Sequence, residues 1–443
     1  MIHSIAQWDI GEFLKVIFGL QDDGPGTKLF QDYLGRTTVW DESKEELLYN
    51  DNRLMLRFHA LIQFISFGNY YVHALVCSFL GFIGINWIYK SFKHLFVGKE
   101  LLLFSVWLLF PGLWFWSSAF LKEGPALFCM GMLSLSFYRV IGLNQINFKN
   151  VLMFCMAIVL SFLFKQYVMI PLCLFSLLFY SIVFRMKPKV SAGLIYSVLI
   201  ASTFLLLNFS LKSIKGKTII EVVAERQRAF LDMSEGGLFL LDSTKFVRLP
   251  YDTTLVNTIS RAANDTAYVT IKPGAKFMYW EHSHQKDTLI CESNKDTISV
   301  YKLFYAIKKA KATLHVPLQN GSLPEFLRAI PYAIYITIAK PMFYDARNLM
   351  DIMTSFENVL ILATLVLMLL FGFRYKFSSH WIWYFLSIVL VVLLLIGITS
   401  PNLGAIQRYR VLVIPFLFMC AALLYRGNWQ LSASKFFKNA SNN

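Results

Sequence analysis

The chain has 443 residues, of which 56% are hydrophobic and only 16% are charged, and its formal net charge is +15. Soluble domains average about 45–50% apolar and about 25% charged residues, so this composition excludes an ordinary soluble enzyme and a disordered chain. The mean hydropathy of +0.52 predicts a membrane protein with many spans. The excess of basic residues then fits the cytoplasmic ends of spans better than a nucleic-acid surface, so we expect no nucleic-acid partner.

Cysteine and histidine usage argues against a disulfide framework and a zinc site. Of the six cysteines only Cys291 lies in a polar region, and the others lie in apolar runs, where the thiol acts as a small hydrophobic group. His59 and His73 are isolated in the sequence. We therefore expect no structural metal site and no cofactor; a divalent cation stays an open alternative that nothing in the sequence supports.

Apolar runs along the chain predict an all-α polytopic membrane protein with about nine transmembrane helices, each of which needs roughly 20 residues to cross a bilayer. The runs cover residues 70–89, 100–119, 121–141, 150–165, 167–185, 191–209, 356–373, 381–398 and 409–425. Two further apolar stretches, 54–67 and 323–340, are interrupted by polar residues or proline. They predict helices that lie in the membrane interface.

Basic residues set the predicted orientation, because turns rich in Lys and Arg stay in the cytoplasm. Placing these turns inside puts the C-terminus in the cytoplasm and the polar stretch 210–322 outside. Alternating residues at 267–272 and 276–280 predict that this stretch forms a small α+β cap. Nine crossings also put residues 1–69 outside. Such a segment is hard to translocate, so we expect a tenth helix upstream; deeper insertion of residues 9–20 is the other explanation.

This organisation divides the chain into five parts. They are an extracytoplasmic N-terminal loop with an interfacial helix (1–69), a first transmembrane bundle (70–209), the extracytoplasmic cap (210–322), a second interfacial helix (323–345), and a second transmembrane bundle with a cytoplasmic tail (346–443). Nucleotide-binding, zinc-protease and serine-hydrolase motifs are absent from the sequence. It also lacks the internal repeat typical of a secondary transporter.

Basic residues at helix ends on the predicted outer side are the candidate ligand-binding groups. They are Lys122, Lys165, Lys340, Arg408 and Arg410. Charged groups at membrane depth are costly, so they usually pair or bind a ligand. The set fits the phosphate or pyrophosphate head of a lipid, which Arg meets with a two-pronged fork and Lys with a point charge. The alternative is that these groups pair with Glu123, Asp345 and Glu357, or extend toward lipid headgroups.

Acidic residues before the first strong span are the candidate catalytic bases. They are Asp22, Asp23, Asp32 and Asp51. A carboxylate held at the interface can accept a proton from an acceptor hydroxyl. Arg53 and Arg57, one helical turn apart, follow Asp51 and are candidate supporting residues. The alternative for each acidic position is a solvated loop or, for Asp51, a helix N-cap.

Short phrases spread over most of residues 50–425 form a set. They are Asp51-Asn-Arg53 with Arg57, Ser66-Phe-Gly-Asn-Tyr-Tyr71, Phe115-Trp-Ser-Ser118 with Lys122-Glu123, Lys165-Gln-Tyr167, Lys340-Pro-Met-Phe-Tyr-Asp345, Ser355-Phe-Glu357 and Gly404-Ala-Ile-Gln-Arg-Tyr-Arg410. The set resembles a family of polytopic proteins from capsule and exopolysaccharide gene clusters. Family members show FWSSGxxKD where this chain has FWSSAFLKE, and Lys-Pro-Tyr where it has Lys165-Gln-Tyr167.

The resemblance implies an architecture similar to GT-C-type glycosyltransferases, which use polyprenyl-phosphate sugars, and to O-antigen-type polymerases. GT-C enzymes place a catalytic aspartate in the first outer loop, a role that Asp22, Asp23 or Asp32 would fill. The phrases also contain the remaining candidate supporting residues, namely Trp116, Glu123, Tyr167, Asp345, Glu357 and Gln407.

Composition and resemblance together predict a multi-pass glycosyltransferase, of the hexosyltransferase type, in the bacterial inner membrane. Its partners would be the bilayer, a polyprenyl-(pyro)phosphate-linked sugar donor and an acceptor glycan, met on the extracytoplasmic side. The first alternative is a polymerase that joins whole repeat units, with two lipid-pyrophosphate sites and an arginine-dominated mechanism. The second, from another class, is a non-catalytic membrane scaffold of an export complex.

Overall fold

A computed structural model gives the fold of the chain. It describes residues 9–20, 51–108, 110–184, 192–235, 238–240, 245–248, 256–262, 266–271, 276–281, 289–292, 299–305, 313–314, 316–317, 319, 321–375 and 380–424. Its helices are α1 (Ile10–Phe18), α2 (Asp51–Ser66), α3 (Tyr70–Phe92), α4 (Glu100–Leu108), α5 (Pro111–Ser117), α6 (Glu123–Ser136), α7 (Phe148–Leu163), α8 (Gln166–Leu178), α9 (Ala192–Lys215), α10 (Ile219–Glu235), α11 (Leu323–Ala339), α12 (Leu349–Tyr375), α13 (His380–Thr399), α14 (Leu403–Arg410) and α15 (Ile414–Leu424). Short π-helical segments, Phe137–Gly142 and Phe179–Phe184, continue α6 and α8, and 3-10 turns cover Lys93–Leu95 and Phe343–Asp345.

Among the described residues, six helices are long and apolar enough to cross a bilayer, and the number rises to eight if each of two bent pairs is one broken span. The six cover Tyr70–Leu95, Glu123–Gly142, Gln166–Phe184, Leu194–Ser213, Leu349–Leu370 and His380–Thr399. The bent pairs are α4 with α5 and α14 with α15, at 51° and 50°. The chain is therefore a multi-pass membrane protein.

Each predicted apolar run overlaps one or more described helices, although the number of spans differs from the prediction. The shorter apolar helix Phe148–Ser161 lies below the length of a full span, so the count of nine stays a prediction. Pro111 and Pro415 lie in the first turns of α5 and α15, where proline is tolerated because the N–H it lacks has no helical partner. This placement lets new helices begin at both bends. The expected helix before residue 1 lies outside the described residues.

The chain forms two compact units, each assembled from three separate stretches. The first contains Met1–Gly68, Lys217–Ile330 and Gly397–Ile406. The second contains Asn69–Gly216, Pro331–Ile396 and Gln407–Asn443. Because each unit contains stretches that are far apart in the sequence, its core depends on long-range contacts that no local sequence pattern encodes.

In the second unit, α3 and α6 cross at close range through glycines. A Cβ at Gly84 would overlap the carbonyl group of Leu127, and a Cβ at Gly131 would overlap the carbonyl group of Gly84. A Cβ at Gly124 would overlap the carbonyl of Cys77 in the same way. Small residues let helix backbones approach within a membrane, where packing rather than water exclusion holds helices together. This crossing therefore fixes where α6, and the residue Glu123 at its start, lies.

In the first unit, the described strands form one antiparallel sheet. The strands are β1 (Leu238–Leu240), β2 (Lys245–Arg248), β3 (Val256–Ala262), β4 (Thr266–Ile271), β5 (Lys276–Glu281), β6 (Leu289–Glu292) and β7 (Ser299–Tyr305), in the order β3-β4-β7-β1-β2-β5-β6. Thr266 pairs with Phe304 and Lys276 with Glu292 at the starts of β4 and β5. These two strands occupy the stretches where alternation predicted strands. That the sheet forms an extracytoplasmic cap stays a prediction.

Both stretches predicted as interfacial helices are helical, as α2 and α11. The first unit also contains α1, which Asp9 caps through hydrogen bonds to the N–H groups of Gly11 and Glu12. Phe13 of α1 packs edge-to-face on Phe64 of α2, with ring centroids 5.3 Å apart. Their position at a membrane interface stays a prediction.

Gln227 of α10 joins three backbone groups in the core of the first unit. Its Nε2 donates to the carbonyls of Pro317 at 2.9 Å and Ile398 at 2.8 Å, and its Oε1 accepts from the N–H of Gln319 at 2.8 Å. The side chain is completely buried. One amide therefore holds together segments far apart in the chain.

Replacing Gln227 by leucine is expected to lower the free energy of unfolding by about 3 kcal/mol, because buried backbone groups then lose their hydrogen-bond partner. Glu225→Ala on the same helix is the matched control, since Glu225 is half exposed and its pair with Lys217 is a surface ion pair worth about 0–1 kcal/mol. Thermal unfolding of the purified protein in detergent measures both variants. Equal midpoints for the two would contradict the assignment.

Candidate functional site

Glu123, the first residue of α6, is the centre of a buried charge cluster in the second unit. Its side chain is completely buried, and its Oε1 accepts hydrogen bonds from two cations. Lys165 donates from Nζ at 2.9 Å and Arg408 from Nε at 2.6 Å. We call these three residues the Glu123 cluster. Sequence reasoning placed all three among the candidate site residues.

Interruptions of regular helix bring the three side chains together. Lys165 lies between α7 and α8 in the left-handed region, with φ 44°, a conformation that ordinary residues rarely adopt. Arg408 lies in α14, the first arm of a bent helix pair. Glu123 begins α6, where a negative charge is favoured by the helix dipole. In the sequence, the feature that pointed to these three residues was that polar side chains interrupt otherwise apolar runs.

The ammonium of Lys165 is enclosed by aromatic rings as well as by Glu123. Its Nζ lies 4.1 Å from the ring centroid of Tyr409 and 5.6 Å from that of Tyr167. The two tyrosine rings are 5.3 Å apart. A cation over a ring face is stabilised by the ring quadrupole, most strongly when water is excluded. The tyrosines therefore help to keep Lys165 charged at a position where only 3% of its side chain is exposed.

The Glu123 cluster carries a net positive charge, since two cations share one carboxylate. The second carboxylate oxygen, Oε2, is buried and has no hydrogen-bond partner among the described residues. Arg408 is more accessible than the others, with 24% of its side chain exposed. The arrangement can therefore attract an anion, and Arg408 is the group that such an anion can reach.

Arg410 belongs to a second, separate network. It is completely buried, and it donates to the carbonyl of Thr337 at 2.6 Å and to the side chain of Asn358. Asn358 in turn donates to the carbonyl of Pro341. Residues two apart on a helix point in different directions, which explains why Arg408 and Arg410 have different partners. Arg410 therefore holds backbone segments together, and we do not include it in the proposed ligand site.

Two further predicted supporting residues are buried in the same unit. Glu357 accepts a hydrogen bond from the backbone N–H of Gly112. Gln407 accepts one from Thr354 at 3.2 Å, while its Nε2 is buried with no hydrogen-bond partner among the described residues. Both join helices of the unit by hydrogen bonds, which suits a role in support.

Lys340 forms an ion pair with Asp345, with Nζ 2.9 Å from both carboxylate oxygens. The hydrogen bond to Asp345 raises the pKa of Lys340. Burial acts to raise the pKa of Asp345, but the hydrogen bonds from Lys340 and the Met342 backbone, together with the charges of Lys340 and Arg347, outweigh it and the pKa is lowered. Both groups are therefore ionised near neutral pH. For Lys340, as for Lys165 and Arg408, the structure shows the carboxylate pairing that the sequence left open as the alternative to ligand binding.

The remaining predicted site residues lie elsewhere. Lys122 precedes α6, and Trp116 packs edge-to-face on Phe115. In the first unit, Arg53 is buried in α2, and Arg57 lies against the turn at Gly19 that ends α1. Asp51 begins α2, and its side chain lies outside the described part of the structure. Asp22, Asp23 and Asp32 lie outside the described residues altogether.

Sequence reasoning missed several residues that complete these networks. Tyr409 lies between two candidate arginines and Asn358 follows Glu357, so both stood beside residues already selected. Their neutral side chains gave no separate signal of their own. Thr337 contributes only its main-chain carbonyl, which no side-chain pattern can reveal.

Among the described side chains, no group of three or more His, Cys, Asp or Glu residues is arranged to hold a metal ion. The cysteines whose side chains are described are free thiols, at positions 77, 129, 155, 173 and 420. No protein-family model, curated protein or solved structure matches the chain.

Proposed function

We propose that the protein is a membrane glycosyltransferase of cell-envelope polysaccharide assembly that uses a polyprenyl-linked sugar donor. The observation that supports this proposal is the net positive Glu123 cluster, with Arg408 partly exposed, within a helical membrane unit. A lipid phosphate brings negative charge to membrane depth, where a cation of this kind stabilises it. A lipid donor also reaches such a site from within the bilayer.

The chemistry of this proposal is substitution at the anomeric carbon of the donor sugar. The acceptor hydroxyl gives its proton to a carboxylate base, and its oxygen forms a bond to the anomeric carbon. The bond from that carbon to the lipid phosphate oxygen breaks, and the phosphate leaves with the electron pair. Arg408 stabilises the charge that develops on the leaving phosphate.

Glu123 is a poor choice for the base, because one of its oxygens already holds two cations. The proposal therefore keeps the N-terminal acidic residues, Asp22, Asp23, Asp32 and Asp51, as candidates for the base. It also keeps the bacterial inner membrane as the location. The extracytoplasmic cap, 210–322, would shape the groove for the acceptor glycan.

Mass spectrometry of polyprenyl-linked glycans from cells that lack the gene tests this proposal. A lipid-linked glycan one sugar short of the complete unit is the expected result. Complete repeat units that accumulate without polymer would instead indicate a polymerase. An unchanged lipid pool with unchanged polymer would remove both enzymes and leave the membrane scaffold.

A repeat-unit polymerase is the second candidate. One observation favours it: the accessible charged group of the cluster is an arginine, while its carboxylate is buried and paired. An arginine-dominated mechanism would fit this arrangement. Replacing every acidic residue between positions 22 and 51 by its amide separates the two enzymes, because retained activity would favour the polymerase.

A further inference from the structure

The two cations of the Glu123 cluster differ in how accessible they are, although they bind the same carboxylate oxygen. Only 3% of the Lys165 side chain is exposed, against 24% for Arg408. Two residues that looked equivalent in the sequence, both as phosphate ligands, are therefore not equivalent in the fold.

The ammonium of Lys165 is surrounded on several sides by groups of the protein itself. Glu123 lies at hydrogen-bond distance, the ring of Tyr409 lies 4.1 Å away, and the ring of Tyr167 lies on a further side. A ligand phosphate would have to displace one of these groups to contact Nζ. Lys165 is thus placed to act on Glu123 rather than on a ligand.

The guanidinium of Arg408, in contrast, is bonded to the protein only through Nε among the described residues. Its Nε donates to Glu123, and its two terminal nitrogens make no hydrogen bond to any residue that the structure describes. The terminal nitrogens of a guanidinium form a planar fork that matches two oxygens of a phosphate. The bond through Nε fixes the plane of this fork before a ligand arrives.

We propose that Lys165 is a positioning residue: it neutralises Glu123, which holds Arg408 through Nε so that the two terminal nitrogens bind a phosphate or diphosphate group. The class of ligand rests on the proposed function; the division of roles rests on the geometry above. Arg408 contacts the ligand, and Lys165 and Glu123 do not.

The net charge of the Glu123 cluster distinguishes this role of Lys165 from a direct ligand contact. Removing Lys165 leaves Glu123 and Arg408 as a neutral pair that has no charge left to offer a phosphate. Removing the charge of Glu123 at the same time leaves Arg408 as a lone cation, as positive as the native cluster. The loss caused by Lys165→Met should therefore be reversed by Glu123→Gln, whereas a direct ligand contact made by Lys165 could not be restored in this way.

Calorimetric titration of the purified full chain with farnesyl diphosphate tests the proposal, with farnesol as the neutral control and inorganic pyrophosphate as the water-soluble comparison. We expect Lys165→Met to weaken farnesyl diphosphate binding roughly tenfold to a hundredfold, the effect of one partly buried unit charge a few ångströms away. The double variant, with Glu123→Gln and Lys165→Met, is expected to bind within about threefold of the native protein, since its charge is restored. Lys149→Met, an exposed lysine on α7, is the matched control and should bind normally.

Weak binding by a folded double variant would overturn the proposal and assign Lys165 a direct ligand contact. If Lys165→Met does not fold, the double variant decides alone, because it leaves no buried carboxylate in the cluster. Absence of farnesyl diphosphate binding by the native protein would also overturn it. Equal affinity for pyrophosphate would support the division of roles with a water-soluble diphosphate as the ligand, and preference for farnesyl diphosphate would support it with a lipid.

The proposed function can fail independently of this inference. Normal binding and charge reversal in a protein whose loss leaves the cellular glycans unchanged would keep the phosphate site and reject the glycosyltransferase. If the double variant does not recover farnesyl diphosphate binding, but loss of the gene shortens the glycan by one sugar, the division of roles is rejected and the glycosyltransferase is kept.

Discussion

Replacing Arg408 by lysine is expected to lower the rate of sugar transfer about a hundredfold, the usual effect of losing one preorganised donor to a developing negative charge. Lysine keeps the positive charge but has no planar fork, so it cannot bind Glu123 and two phosphate oxygens at once. The measurement is the initial rate of glycan extension in membranes, with equal amounts of folded protein verified by gel filtration. A transfer rate within about threefold of the native value would contradict the proposed role of Arg408 in binding the leaving phosphate.

Lys149→Ala is the matched control for Arg408, because it removes an exposed cation from a helix end, which the predicted orientation places in the cytoplasm. It is expected to transfer sugar at the native rate. Arg410→Ala is not a suitable control. Arg410 is completely buried and bonded to Thr337 and Asn358, so its loss leaves buried groups unpaired and affects folding.

Replacing Gly84 by alanine is expected to reduce the free energy of unfolding by about 3 kcal/mol, the upper end of the usual cost of overpacking. The added Cβ would overlap the carbonyl group of Leu127, and a backbone atom cannot rotate away as a flexible side chain can. Because α3 and α6 must separate to accept it, we also expect less folded protein. Thermal unfolding in detergent and the yield of monodisperse protein measure both effects.

Gly81→Ala provides a control on the same helix and against the same neighbour. A Cβ at Gly81 would lie 3.5 Å from the Cα of Gly124, which is ordinary van der Waals contact. Alanine also has the higher helix propensity, by about 1 kcal/mol, so this variant is expected to be as stable as the native protein or more so. Similar unfolding midpoints for Gly84→Ala and Gly81→Ala would show that the close crossing is not the cause.

Gly84 and Arg408 act on the same part of the fold. The glycine crossing sets the position of α6, and Glu123 at the start of α6 accepts hydrogen bonds from Lys165 and Arg408. A shift of the helices would therefore disturb the hydrogen bonds of 2.9 and 2.6 Å in the cluster. We expect Gly84→Ala to lower transfer as well as stability, whereas Arg408→Lys lowers transfer with little change in stability.

Local composition by itself determined the membrane character of the chain and the places where its helices lie. Runs of apolar residues must bury their backbone polar groups in helices to enter a bilayer, so length and hydropathy suffice to locate them. The same reasoning selected Glu123, Lys165 and Arg408, because a charge inside an apolar run is too costly to be there without a partner or a ligand. Strand alternation likewise located β4 and β5.

Only the tertiary structure decided which charge meets which partner. Glu123 and Arg408 are separated by 285 positions, and no periodicity links them. Arg408 and Arg410 look alike in the sequence, yet Arg408 is partly exposed, whereas Arg410 is completely buried and bonded to the Thr337 carbonyl and the Asn358 side chain, because their directions on α14 differ. Burial and hydrogen bonding depend on how the helices pack, and the close packing of α3 on α6 depends on the absence of a Cβ at Gly84 and Gly131. Sequence patterns report which residues prefer a membrane or a turn, whereas a binding site depends on distances between residues that only the folded chain brings together.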